Sequence, residues 1–289
     1  MATGDLITAD WEMELNGLLI GGDTVYSIVS VDGLLDLPAP IVSDVQRLYQ
    51  EGQYGGIDYL GGRTITVQIE VFTDAGFDDA ITALVEATTP GTSATGTATV
   101  FQFPGVGGGG KRQITSKVRR RATQINKDYY YEVPIFDVQL HAVDPHIYDN
   151  SLNSESTDLA ATTAGLTFNA TFDLSFGGVP TEGTITAENI GTSHTHPVFT
   201  IEGPCDTPRI TNETTAKFLA FDITLGAGDT LVVDEKNRTV ILNDQVSRYY
   251  TLTSDSTWFT LATGNTQIRY TAATFSSSTI TVDWRSSWL

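Results

Sequence analysis

The chain has 289 residues, 40% hydrophobic and 18% charged, enough for two domains and for a core that buries roughly three quarters of the unfolded surface. Thirty-five acidic against 16 basic residues give a formal charge of -19, which argues against tight general nucleic-acid binding because the chain repels phosphate backbones. Cys205 is the only cysteine, so an intrachain disulfide is excluded and a zinc site would have to be built almost without sulfur.

Trp11, Met13 and Leu15 alternate with Glu12 and Glu14, the period of a half-buried strand, and Asn16-Gly17 supplies a tight turn into Leu18-Leu19-Ile20. The clearest strand follows Gly61-Gly62: Ile65, Val67, Ile69 and Val71 alternate with Thr64, Thr66, Gln68 and Glu70. One helix is predicted, because Phe77, Ile81, Leu84 and Val85 recur at helical spacing behind Asp74, Asp78 and Asp79; it ends near Thr88-Thr89-Pro90-Gly91. A short strand is expected at Val100-Phe101-Gln102-Phe103, then a mobile glycine loop from Gly105 to Gly110. Seven of the 16 positive charges fall next, at Lys111, Arg112, Lys117, Arg119, Arg120, Arg121 and Lys127. A long strand through Phe136, Val138, Leu140 and Ala142 ends at Asp144-Pro145. Residues 149 to 165 have almost no large apolar side chains, as a linker would. The division drawn is therefore 1–150, a linker at 151–165, and 166–289. The last part reads as short strands at Val198 to Glu202, Phe218 to Leu225, Leu231 to Val233, Thr239 to Leu242, Gln267 to Tyr270 and Ile280 to Trp284, spaced as in a β-sandwich.

No constellation rises to a catalytic, cofactor or metal site. Gly105 to Lys111 has the G-x-x-x-x-G-K spacing of a phosphate loop, but Arg112 stands where the magnesium-binding hydroxyl belongs and the following residues look extended. His194 and His196 could face one way on an extended segment, yet no third ligand is near in sequence. There is no G-x-S-x-G elbow, and 35 carboxylates guarantee chance pairs at glycosidase distance. Tyr129 to Tyr131, Trp284 and Trp288 could form a sugar- or protein-binding surface, although such aromatics are more often core. Asn169 and Asn212 match the glycosylation pattern, but with no secretion signal in view the match is expected to be empty. The basic block lies in a segment, 1–150, with nine basic and 20 acidic residues, so it is expected to meet either an acidic neighbouring subunit or plain solvent rather than DNA. Arg63, placed after two glycines and before the best strand, is expected to fork onto a carboxylate or carbonyls and hold a turn or an intersubunit contact. No run approaches the ~18 apolar residues of a membrane span, and the first residues lack the pattern of a signal peptide, so synthesis in the cytoplasm without membrane insertion is expected.

Val31-Asp32-Gly33-Leu34 with Pro38, then Asp58-Tyr59-Leu60-Gly61-Gly62-Arg63-Thr64-Ile65-Thr66-Val67, a single helix, and a strand closing on Asp144-Pro145-His146-Ile147-Tyr148 resemble the N-terminal domain of siphophage distal tail proteins. The second half is similar to that family's second domain, through Gly203-Pro204, Pro208-Arg209-Ile210-Thr211-Asn212, Ala227-Gly228-Asp229-Thr230-Leu231-Val232-Val233-Asp234, Arg238-Thr239-Val240, Trp258-Phe259 and Gly264-Asn265. The stretch from 105 to 121 is richer in glycine and arginine than the family pattern. The resemblance implies a mainly β protein, with a split-barrel-like N-terminal domain carrying one helix and a galectin-like C-terminal β-sandwich. It implies a structural virion protein without enzymatic activity, forming a homohexameric ring around the tail channel. Its partners would be the tail tube protein, the tip hub protein and receptor-binding or fibre proteins, with DNA met only in transit. Arg63, Lys111, Arg112, Arg119, Arg120 and Arg121 are the expected structural or intersubunit residues. The rival readings are a carbohydrate-binding sandwich or adhesin and, third, a cell-wall hydrolase.

Overall fold

The computed structural model describes residues 3–159, 183–273 and 278–289. The chain is mainly β and divides into two compact units, Met1–Ser151 with Ser287–Leu289, and Leu152–Ser286.

In the first unit, Glu12–Leu15 and Leu18–Gly21 form the hairpin that the Asn16-Gly17 turn requires, with both turn residues at positive φ. Glu12–Leu15 also pairs with Thr97–Gln102. The strand Arg112–Thr123 bridges two half-sheets: its first five residues pair with Thr97–Gln102 and its remainder with Ile135–Ala142. Ile135–Ala142 pairs with Arg63–Val71, and that strand with Tyr26–Asp32 at the sheet edge. Alternation puts Ile65, Val67, Ile69 and Val71 against Phe136, Val138 and Leu140 in one core. The helix Phe77–Ala87 buries Ala80, Leu84 and Ala87 and packs Ile81 against the same core, so the expected face through Ile81 and Leu84 is inward and widened by two alanines, while Phe77 and Val85 are half-buried at its margin. A one-turn helix at Lys127–Tyr130, capped by the Asn126 side chain, adds to the single predicted helix.

The second unit is a sandwich. A six-stranded sheet and a four-stranded sheet share one core in which Phe199, Ile201, Leu231, Val233, Ile280 and Val282 meet Ile185, Ile210, Leu219 and Ile268. The run expected as one strand from Phe218 to Leu225 is split into Lys217–Ala220 and Thr224–Leu225, because Phe221 turns into the core and bridges to Leu252.

Two boundaries differ from the sequence reading. Inside the expected linker, Asn153–Asp158 is a strand, in register with Thr279–Trp284. It is the outermost strand of its sheet, so its backbone ladder anchors it while Ser154, Glu155 and Ser156 face solvent; edge strands and linkers share an apolar-poor composition. Residues 160–165 of that linker lie outside the described residues. At the far end, Ser287–Trp288 pairs with Ile147–Asp149, and Trp288 is buried in the first unit's core. The C-terminal three residues thus belong to the N-terminal unit.

Candidate assembly surface

All six singled-out basic residues lie in the first unit. Arg63 opens its strand with 2% exposure. Its Nε donates to the Pro145 carbonyl at 2.9 Å, and its Nη1 to the carbonyls of Gly33 at 3.0 Å, Leu34 at 2.6 Å and Asp36 at 2.9 Å. Burial pulls its pKa below the ordinary arginine value and Asp36 pushes it back up. Gly33 sits at φ 84°, and a Cβ there would lie 2.1 Å from the Thr64 carbonyl oxygen. Only glycine lets this turn approach the Arg63 strand.

Lys111 Nζ donates to the Gly4 carbonyl at 3.0 Å. Arg112 is buried among four partners: the Gly107 carbonyl at 2.7 Å, the Lys111 carbonyl at 3.0 Å, the Asp149 carboxylate at 3.4 Å and the Trp288 ring, 4.1 Å from its centroid. The glycine loop, expected to be mobile, is tied down by this Arg112 bond and by Val106, which is buried in the core. The residues after Lys111 enter the strand Arg112–Thr123, not the helix a phosphate loop needs.

The arginine run falls on a β-bulge. Register shifts between Val118↔Leu140 and Arg120↔Gln139, leaving Arg119 as the extra residue. Arg121 Nη1 then reaches the end of the helix, donating to the Val85 carbonyl at 2.7 Å and to Thr88 Oγ1 at 2.9 Å. A cation at a helix C-terminus meets its unpaired carbonyls and its negative pole. Arg119 and Arg120 are exposed, and they line two separate grooves rather than one patch.

The remaining candidates do not assemble a reactive site. His194 and His196 stand with ring centroids 5.5 Å apart, and His196 Nδ1 pairs with the buried Glu235 carboxylate. Among the described residues no group of three His, Cys, Asp or Glu gathers as metal ligands would. Asp144 accepts from Tyr148 at 2.7 Å and lies 2.8 Å from His146 Nδ1; burial, then Asp144, raises the Tyr148 phenol far above its usual range. Tyr130 and Tyr131 are exposed, whereas Trp284 and Trp288 are core. Asn212 is fully buried, with its Oδ1 accepting from Thr215 N at 3.1 Å, so it is no glycan acceptor; Asn169 lies outside the described residues. Among those residues no helix is long and apolar enough to cross a membrane.

The sequence reading missed an arm. Directly after the Arg63-clamped turn, Pro40–Ile41 pairs with Tyr59–Leu60, and Val45–Gln46 with Gln53–Tyr54. Nearly every residue of this ribbon is exposed, including Ile41, Val45, Leu48, Tyr49, Tyr54 and Ile57. The available signal was an apolar run without helical or strict strand period, cut by Pro38, Pro40, Gly52, Gly55 and Gly56.

Residues 190–288 match the family model described as siphovirus-type tail component, C-terminal domain. The chain is thereby shown to resemble the siphophage distal tail proteins. The crystal structure of SPP1 Dit (gp 19.1), described as a paradigm of the hub adsorption apparatus in Gram-positive infecting phages, superposes with a TM-score of 0.63 at 14% identity, covering 96% of this chain and 99% of that one. At that identity the match shows a shared fold, and it extends across nearly the full length of both chains. The phage P2 baseplate in its activated conformation with Ca also matches, with a TM-score of 0.47, 7% identity and coverage of 90% and 91%. No curated protein matches the sequence.

Proposed function

We propose that this chain is a structural, non-catalytic virion protein of a long-tailed phage, forming a homohexameric ring at the distal end of the tail tube. There it joins the tube protein to the tip hub, with receptor-binding or fibre proteins as further neighbours and DNA passing through the channel. The second unit is proposed as the galectin-like domain at the ring's periphery. The family match of residues 190–288 and the full-length likeness to SPP1 Dit support the tail assignment.

The observation that carries the ring is the arm. A ribbon with this many uncovered apolar side chains has no core of its own, and an isolated two-stranded ribbon is marginal in water. A cover supplied by an identical neighbour, repeated head to tail, builds a ring where the rotation closes, as proposed here, and an open filament where it does not. The charge of -19 fits a channel past which DNA slides without sticking. Native mass spectrometry of the purified full chain tests this: six copies of 31.2 kDa give about 187 kDa, whereas a single 31.2 kDa species at every concentration contradicts it.

The rival sugar-binding reading draws on one feature of the second unit. Tyr250 is exposed with its hydroxyl accepting from Arg248 at 2.9 Å, beside a Tyr249 ring nearly parallel to Trp258. Glycan-array binding lost on Tyr250→Ala is the result that would favour it.

A further inference from the structure

Segments from opposite ends of the sequence are held in the first unit by two adjacent residues. Lys111 Nζ donates to the Gly4 carbonyl at 3.0 Å, and the Arg112 guanidinium lies under the Trp288 ring. The stretch that faces this pair holds the same two segments. Asn150 N donates to the Lys111 carbonyl at 3.2 Å and Asn150 Nδ2 to the Thr3 carbonyl at 3.4 Å. Asp149 is in register with Arg112 and closes the strand Ile147–Asp149, on which Ser287–Trp288 lies.

The N-terminal segment is bound by carboxylates rather than by a sheet. Glu14 accepts from Gly4 N at 2.8 Å and Leu6 N at 3.4 Å, and Glu12 from Thr8 N at 2.6 Å and Ala9 N at 2.9 Å. Both glutamates are buried, as is Ile7. Gly4, at φ 95°, packs so close that a Cβ would lie 2.7 Å from Asn150 Nδ2. The far segment is as short of bonds of its own, since Ser287–Trp288 pairs over two residues only. Ordering such pieces costs more backbone entropy than their few bonds return, so each depends on the shared anchor. The glycine loop is the third dependant: Arg112 Nε holds the Gly107 carbonyl, and a Cβ on Gly108 would lie 3.8 Å from Trp288 Nε1.

We propose that Ser287–Trp288 is a strap and that Lys111-Arg112 is the latch joining it to residues 3–9 and to the loop Gly105–Gly110, so that the three segments open and close together. The whole second unit, Leu152–Ser286, precedes the strap in the chain. During synthesis the latch is therefore the last part of the first unit to form, and this end of the unit stays open until Trp288 docks.

Hydrogen–deuterium exchange on the full-length chain tests the latch, because the amides concerned are bonded: Gly4, Leu6, Thr8 and Ala9 to the glutamates, and Val106 and Gly109 to the Phe103 and Val106 carbonyls. Two substitutions act on opposite sides. Lys111→Met keeps the stem and removes the donor to Gly4; Trp288→Leu keeps an apolar plug and removes the ring over Arg112. Coupling is reciprocal, so each must loosen the far segment as well as its own. In both variants, exchange at residues 4–9, 106–109 and 287–288 is expected to rise together, by about fivefold or more, the low end for coupled sites. The strand through Ile65 to Val71 should keep its protection. If either variant leaves the far segment unchanged, the segments are independent and the latch is wrong. Equal loosening of the Ile65 to Val71 strand would show global opening in place of a latch, and would overturn it as well.

Discussion

At Arg63 a single guanidinium answers four backbone carbonyls, those of Gly33, Leu34, Asp36 and Pro145, in two stretches that have no ladder partners there. Lysine has a point charge and no fork, so it cannot serve both stretches at once. Arg63→Lys is therefore expected to cost about 2–4 kcal/mol, since buried carbonyls left unpaired lose about 1–3 kcal/mol each. Urea denaturation would measure it, and a loss below about 0.5 kcal/mol, within the range of ordinary surface substitutions, contradicts the clamp. The tyrosines make a second residue-scale expectation. Burial raises the phenols of Tyr26, Tyr148 and Tyr270 above the ordinary value of 10.0. A group whose folded pKa is raised contributes fully below its unfolded pKa and loses that contribution as pH climbs beyond it. Stability should therefore fall from about pH 10 upward, and of the 11 tyrosines these three should ionise only on unfolding. A phenolate absorbance titration showing all of them ionising together in the folded protein contradicts this.

Among the elements, the terminal strand Ser287–Trp288 is the least expected and the most exposed to test. Trp288 fills the first unit's core and covers the Arg112 guanidinium. Trp288→Ala should destabilise that unit by about 3–5 kcal/mol, the usual cost of removing a buried aromatic, and leave the second unit's own transition in place. Equal losses in both transitions, or none, would show the strand to be incidental. The strands through Ile65 to Val71 and Phe136 to Ala142, and the helix at Phe77–Ala87, were legible because each buries one face and so writes a period into the sequence. Asn153–Asp158 was not legible, because an edge strand is held by backbone bonds that leave no side-chain pattern. Trp288 was not, because its partner Ile147 is distant in sequence. The arm was hidden for a related reason: its apolar residues face no core of this chain, so no periodicity marks them. At the candidate site, the position of Arg63 between two glycines and a strand pointed to a clamp, but no spacing could reveal which carbonyls it takes. The arginine run from 119 to 121 was visible as charge. Its division by a bulge, with Arg121 spent on the helix end, required the strand register.

For the whole molecule, a charge of -19 opposes the gathering of many copies, and the repulsion must be outweighed by contact. On the proposed ring, the exposed apolar arm supplies contact that salt does not weaken, while added salt screens the repulsion, so assembly should strengthen or hold as ionic strength rises. A heterologous contact either closes or propagates, and the central claim is that this one closes with sixfold symmetry. Electron microscopy of the purified full-length protein tests that most directly. The account predicts face-on rings with six equal lobes around an open centre, their outer lobes formed by the second unit; isolated single particles, or open filaments of indefinite length, would contradict it.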